Sequence, residues 1–271
     1  GNWLAADMDW RLLARAAAES GTAATRYGEY RLSRAGLHHA KAQATYALHM
    51  DVCLAAGSVV AAPFAGRITW YDQHLVLTGG DMKLHIDGID LSVEDGSEIA
   101  AGQTLGTVSG ERSSLGGLRL QLCSIAGFEP PLFATPEQAE AWSALCPSPS
   151  VLIGPGGDAP KPETSALLEL RRAHFASPQK NYYAHPPRIE RGWKEHLFDI
   201  EGRAYLDMVN NVTILGHGHP RMAEAIGQQW LMLNTNSRFH YAAVAEFSES
   251  LASLAPDGMD AVFLVNSGSE A

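Results

Sequence analysis

The chain has 271 residues, 46% hydrophobic and 18% charged, which describes a folding chain and excludes intrinsic disorder. A formal net charge of −10 argues against nucleic acid or an anionic membrane surface as a partner. No apolar run approaches the roughly 20 residues that a membrane span needs.

In chain order, Trp3–Tyr30 is predicted to be helical, because Leu12, Leu13, Ala16 and Ala17 recur at helix spacing. From about Ala35 the texture changes to short β-rich runs at Ser58–Ala62, Gly66–Tyr71, Leu75–Thr78, Lys83–Ile86, Thr104–Val108 and Leu118–Cys123. Turn signals separate them, such as Gly79-Gly80, Asp87-Gly88, Asp95-Gly96 and Gly116-Gly117, and this spacing predicts a sandwich or small barrel. A short helix is predicted to start at Thr135-Pro136-Glu137, a cap followed by Pro at the first helical position. The Gly/Pro stretch Gly154–Pro162 cannot bury a core and reads as the domain boundary. Beyond it come a helix at Thr164–Ala173, a hairpin His196–Ile200 and Ala204–Met208 turning at Glu201-Gly202-Arg203, and helices at Pro220–Leu233 and Ala242–Leu254. The continuous apolar run Ala261–Val265 is predicted to be a buried parallel strand.

Cys53, Cys123 and Cys146 are odd in number and lack CxxC spacing, so they are expected to be buried, reduced thiols. Gly1–Asp9 has neither the basic nor the apolar region of a signal peptide, and a cytoplasmic location is expected. Without an initiator Met, Gly1 reads as an internal cut or a tag remnant.

After Ala261–Val265, Asn266-Ser267-Gly268-Ser269-Glu270-Ala271 forms a small-residue turn that would open a helix. Unpaired amides at such a turn, with the helix dipole behind them, attract an anion. Ser267 and Ser269 add hydroxyl donors, and Gly268 permits close approach. These residues alone point to a phosphate or carboxylate site, or to an ordinary N-cap.

Three further segments accompany that turn: Asp199-Ile200-Glu201-Gly202-Arg203-Ala204-Tyr205-Leu206-Asp207, Leu215-Gly216-His217-Gly218-His219-Pro220 and Leu233-Asn234-Thr235-Asn236-Ser237-Arg238. In order and spacing the four segments resemble the class III aminotransferases, over roughly Leu167–Ala271. The Asn-Thr-Asn-Ser-Arg run is most similar to the branch that includes phospholyases of phosphorylated amino alcohols. The resemblance implies a fold-type I enzyme that uses pyridoxal phosphate, with Ser267, Gly268 and Ser269 holding the cofactor phosphate. It also implies a small-molecule amine substrate and a homodimer in the full-length protein. The family's Schiff-base lysine lies beyond Ala271, and none of Lys41, Lys83, Lys161, Lys180 and Lys194 stands at a matching place. The chain alone is therefore expected to be an inactive fragment. His217 and His219 form an HxH, which precedes a helix in the resembling family and is no metal site there. Glu270 is expected in the first helical turn, and Asn211 and Ser237 either near the cofactor or in structural roles.

The middle resembles the M23 metallopeptidases, through Asp51–Ile68 and the run Val93–Gly106, which biotinyl and lipoyl carriers share. That family holds zinc with His-x-x-x-Asp and a later His-x-His. Here those positions fall at Ala47, Asp51, Gly117 and Arg119. An arginine repels a cation, so zinc is not expected, although His38, His39, His49 and His85 leave open a rebuilt site. Lys83 lacks the hairpin-tip context of a carrier lysine.

The expected architecture is multidomain. An all-β M23-like domain with a lipoyl-like hairpin precedes the start of an α/β fold-type I domain. The divisions are a helical lead (1–34), a degenerate peptidase-like domain (35–150), a linker (151–163) and the truncated class III segment (164–271). The expected activity is amino-group transfer between an amine or amino acid and a keto acid, or else phosphate elimination from a phosphorylated amino alcohol. The β domain is expected to be a non-catalytic binding module or spacer, with an active zinc peptidase as the remaining reading.

Overall fold

The computed structural model describes residues 4–36, 41–111, 114–124, 129–153, 157–159, 164–176, 182–209, 214–235, 238–267 and 269–270. By internal packing the chain divides into two compact units, Gly1–His219 and Pro220–Ala271.

The first unit opens with helix α1 (Met8–Ser20). The helix ends well before Tyr30 because Gly21 adopts φ 83° and its N–H returns to the Ala17 carbonyl, a left-handed stop. Strands follow at β1 (Ala23–Ala24), β2 (Tyr46–Ala47), β3 (Met50–Ala55) and β4 (Val59–Ala61). Next come β5 (Gly66–Tyr71), β6 (His74–Gly79), β7 (Met82–Asp87) and β8 (Ile89–Leu91). The set continues with β9 (Glu98–Ile99), β10 (Thr104–Val108), β11 (Leu115–Cys123) and β12 (Phe133–Ala134). Helices α2 (Ala139–Leu145), α3 (Ser150–Ile153) and α4 (Thr164–His174) then precede β13 (Ile189–Trp193), β14 (His196–Asp199) and β15 (Ala204–Leu206). The cap at Thr135 starts a 3₁₀ turn, Pro136–Gln138, before α2.

The main sheet is antiparallel in the order β1-β3-β11-β7-β6-β5-β9, and a three-stranded sheet β4-β10-β8 packs with it. Strands β5 and β6 are joined by Asp72 and Gln73, both at positive φ, the signature of a type I′ hairpin built without glycine. Alternation sends Val52, Ile68, Leu75, Leu77, Leu84, Ile86, Leu118 and Leu120 into one core. Each such side chain contributes about 1.5–3 kcal/mol by leaving water.

The described part of the expected linker is tied down. Asp158 bridges Tyr27, the Ala159 N–H donates to the Tyr27 carbonyl at 2.7 Å, and Asp158 bonds Ser148. The flanking residues 154–156 and 160–163 lie outside the described set. Strands β13, β14 and β15 form a three-stranded antiparallel sheet, so the predicted hairpin gains Ile189–Trp193 as a third strand.

The second unit holds α5 (Pro220–Met232) and α6 (Ala242–Leu254), within a residue of their predicted ends. Ala261–Val265 is not a strand here: it pairs with no other strand among the described residues, and Phe263 is 89% exposed. A parallel strand exists only through a neighbour's backbone groups, and apolar composition supplies none of them. All ladders among the described residues are antiparallel; Tyr27–Asp158 is an isolated parallel bridge.

Candidate functional site

The C-terminal turn lies in the second unit. The Asn266 N–H donates to Glu270 Oε2 at 2.8 Å, and the Glu270 N–H donates to the Ser267 carbonyl at 3.0 Å. One amide of the turn thus already receives an anionic oxygen from its own chain, in the manner of a capping box. Ser267 and Ser269 are exposed in the same turn; Gly268 lies outside the described residues. Exposed hydroxyls and an amide N–H that donates to a carboxylate oxygen fit the phosphate end of the expected cofactor, with the Glu270 carboxylate standing in for the anion.

The preceding motif residues build structure. Asp199 is buried, and its Oδ1 accepts the N–H groups of Glu201 and Arg203, both at 2.9 Å. Its Oδ2 accepts the Tyr205 hydroxyl at 2.8 Å. The Asp-Ile-Glu-Gly-Arg-Ala-Tyr run is therefore a carboxylate-organised turn. The turn docks on the β domain: Thr45 Oγ1 donates to the Glu201 carbonyl at 2.6 Å, and Arg203 pairs with Glu137 at 3.1 Å. Of the HxH pair, His217 pairs through Nε2 with Asp207 at 2.8 Å, and its backbone is bonded to Lys194. Asn211 and Ser237 lie outside the described residues.

In the β domain, sheet register aligns a polar row on the face opposite the core. Asp51 of β3 faces Arg119 of β11, Arg119 faces Asp87 of β7, Asp87 faces His74 of β6, and His74 faces Tyr71 of β5. Asp51 is gripped by two guanidinium groups, Arg31 Nη1 at 2.8 Å and Arg119 Nε at 2.9 Å. His49 Nε2 lies 3.4 Å away, at ion-pair distance but without hydrogen-bond geometry. His49 Nδ1 donates to the Leu132 carbonyl at 2.9 Å, which fixes the proton on that nitrogen. Burial pushes Asp51 up, but His49, Arg31 and Arg119 outweigh it and hold the carboxyl well below the usual range.

The peptidase-like positions are thus filled by other chemistry. Ala47 is wholly buried, and a Cβ on Gly117 would sit 2.6 Å from the Trp10 ring of α1. No group of three His, Cys, Asp or Glu side chains gathers to hold a metal among the described residues. His49 and His85 line two different cavities, of about 180 and 220 Å³, so they do not form one site; His38 and His39 lie outside the described residues.

His85 belongs to a second constellation. Asp87 Oδ1 accepts from His74 Nδ1 at 2.5 Å, and His74 Nε2 meets His85 Nδ1 at 2.9 Å. Burial, then the charges of His74 and Lys83, push His85 down to about 4, so it is neutral at pH 7. Arg31, Trp10 and His74 stand in no sequence motif, and Asp87 only in the turn signal Asp87-Gly88. For Asp87 and His85 the signal was there, in the two-residue period that puts them on one face with Lys83.

The class-III aminotransferase family model matches residues 179–271. An alanine–glyoxylate aminotransferase 2-like protein from Drosophila melanogaster is 37% identical over 105 residues, 38% of this chain and 21% of the relative. The ethanolamine-phosphate phospho-lyase homolog 1 of Caenorhabditis elegans is 33% identical over 106 residues, 39% of this chain and 22% of the relative. The chain thus spans about a fifth of the length of these relatives. Among solved structures, the catalytic domain of a prophage-encoded M23 protein from Enterococcus faecalis aligns at 18% identity and TM-score 0.29, over 42% of this chain and 86% of that one. Residues 179–271 are thus similar to the class III aminotransferases, and the rest of the chain lies outside that match.

Proposed function

We propose that the full-length protein transfers an amino group between an amine or amino acid and a keto acid, with pyridoxal phosphate as cofactor. The reading is supported above all by the family match that ends on the Asn266–Glu270 turn, where an amide already takes an anionic oxygen. Ser267, Gly268 and Ser269 would hold the cofactor phosphate, with Glu270 giving up the Asn266 amide to it. The bound cofactor supplies an electron sink for charge left at a substrate carbon. The Schiff-base lysine belongs to sequence outside the matched segment, and the enzyme works as a homodimer in the cytoplasm. Residues 164–271 form the class III part, behind a 151–163 linker, a 35–150 β domain and a 1–34 lead.

Phosphate elimination from a phosphorylated amino alcohol is the second reading, favoured by the phospho-lyase relative. Full-length protein given phosphoethanolamine separates the two. Keto-acid-dependent amine transfer without phosphate release supports the first; release of both phosphate and ammonia supports the second. For the β domain, the two guanidinium groups on Asp51 favour a metal-free binding module over a peptidase.

A further inference from the structure

Cys123 ends β11, and Cys146 follows α2. The backbones beside them are joined: the Ser124 N–H donates to the Leu145 carbonyl at 2.9 Å, and the Ser124 hydroxyl donates to the same oxygen at 3.1 Å. Both side chains are wholly buried in one cluster with Tyr27, Leu48, Met50 and Ala134. Cys53 belongs to a different cluster, under Leu13 and Ala17 of α1. All three are free thiols. Two thiols buried in one cluster, on backbones already joined beside them, need only a local shift to reach the ~2.05 Å of a disulfide.

The chain between Cys123 and Cys146 matters to the polar face. It includes β12, the Leu132 carbonyl that accepts from His49, and the Pro131 carbonyl that accepts from Gln121 at 2.8 Å. Whatever fastens Cys146 to β11 fastens this cover over the row that runs from Asp51 to Tyr71.

We propose that Cys123 and Cys146 form a reversible disulfide that staples this cover to the main sheet. The two thiols together lose two protons and two electrons as the S–S bond forms. A peroxide takes these up and is reduced to water, or a small disulfide such as oxidised glutathione takes them up and becomes two thiols. Burial, then the neighbouring Cys123, pushes the Cys146 thiol up to about 12, so the resident form is the slow-reacting thiol. Bond formation therefore waits on opening of the cover, and it accelerates in mild denaturant.

The test equilibrates the full chain with an oxidised/reduced glutathione buffer, once folded and once during refolding from urea, then maps the non-reduced peptides by mass spectrometry. The expected product is one linked pair, Cys123 with Cys146, lighter by two hydrogens, with Cys53 still open to alkylation. Oxidation is expected to raise the melting temperature by about 10 °C, as closure of a loop of this length predicts. The rise should persist in Cys53→Ser and vanish in Cys146→Ser. Bridges to Cys53, glutathione adducts alone, or free Cys123 and Cys146 after both treatments would overturn the proposal. The wild-type peptide map decides the matter even if Cys146→Ser does not fold.

Discussion

At Asp51 the balance of charges is decided by partners. A carboxylate this buried is costly alone, and Arg31, itself only 6% exposed, is equally costly without it. Asp51→Asn is therefore expected to destabilise the first unit by about 3 kcal/mol, measured by urea unfolding. Because its carboxyl lies below its unfolded value of about 3.9, the stabilisation is complete above that pH and is lost as the pH falls through the folded value. His85 also weakens the fold toward acid, in a higher window. Its value drops from 6.5 to about 4 on folding, so the unfolded chain takes up the proton first. Stability is complete above pH 6.5 and declines toward pH 4. Melting temperatures against pH should show both legs in the wild type, and His85→Gln should flatten only the upper one. Substituting Arg119→His leaves Arg31 on Asp51, so no stoichiometric zinc is expected by elemental analysis; one equivalent would contradict the guanidinium assignment.

At the scale of elements, the hairpin β14–β15 shows how a family motif does structural work. Three donors converge on Asp199, and Gly202 holds φ +78° with a notional Cβ 2.9 Å from Thr45 Cγ2. Asp199→Ala is expected to cost about 3 kcal/mol, since charged acceptors are lost from a buried turn, and Gly202→Val about 2 kcal/mol through strain and collision. Both would be read as shifts of the urea midpoint. This hairpin was legible in sequence, because Glu-Gly-Arg between alternating runs has only one economical turn. Helices α5 and α6 were legible from their breakers. Strand β13 was not, since Arg188-Ile189-Glu190-Arg191 carries little apolar signal and is held by its neighbour. Nor was the end of α1, where one glycine outweighed a helical pattern. The arginine grip on Asp51 was half legible: Arg119 announced the loss of a zinc ligand, but Arg31 comes from a turn that no motif marks.

For the whole molecule, the two units differ in what they bury. The first has a closed apolar core; the second has no buried side chain in α5 or α6 among its described residues, and Trp230, Leu231 and Phe263 are largely exposed. Large apolar side chains exposed in this number are usually covered in a working protein. The 271-residue chain is therefore expected to self-associate on a sizing column, while residues 1–219 alone run as a monomer; an aggregating 1–219 piece would contradict the division. The run Ala261–Val265 teaches the same lesson in reverse. Its composition reports a need for burial, and only a paired neighbour makes it a strand. No helix among the described residues is long and apolar enough to cross a membrane.

The turn after that run is proposed to grip a vitamin-derived phosphate. The direct measurement is an absorbance titration of full-length protein with pyridoxal phosphate, for wild type and Gly268→Val. One equivalent bound by wild type, with affinity reduced at least about tenfold in the variant (some 1.4 kcal/mol), is the expected result. No binding, or equal binding by both proteins, contradicts it.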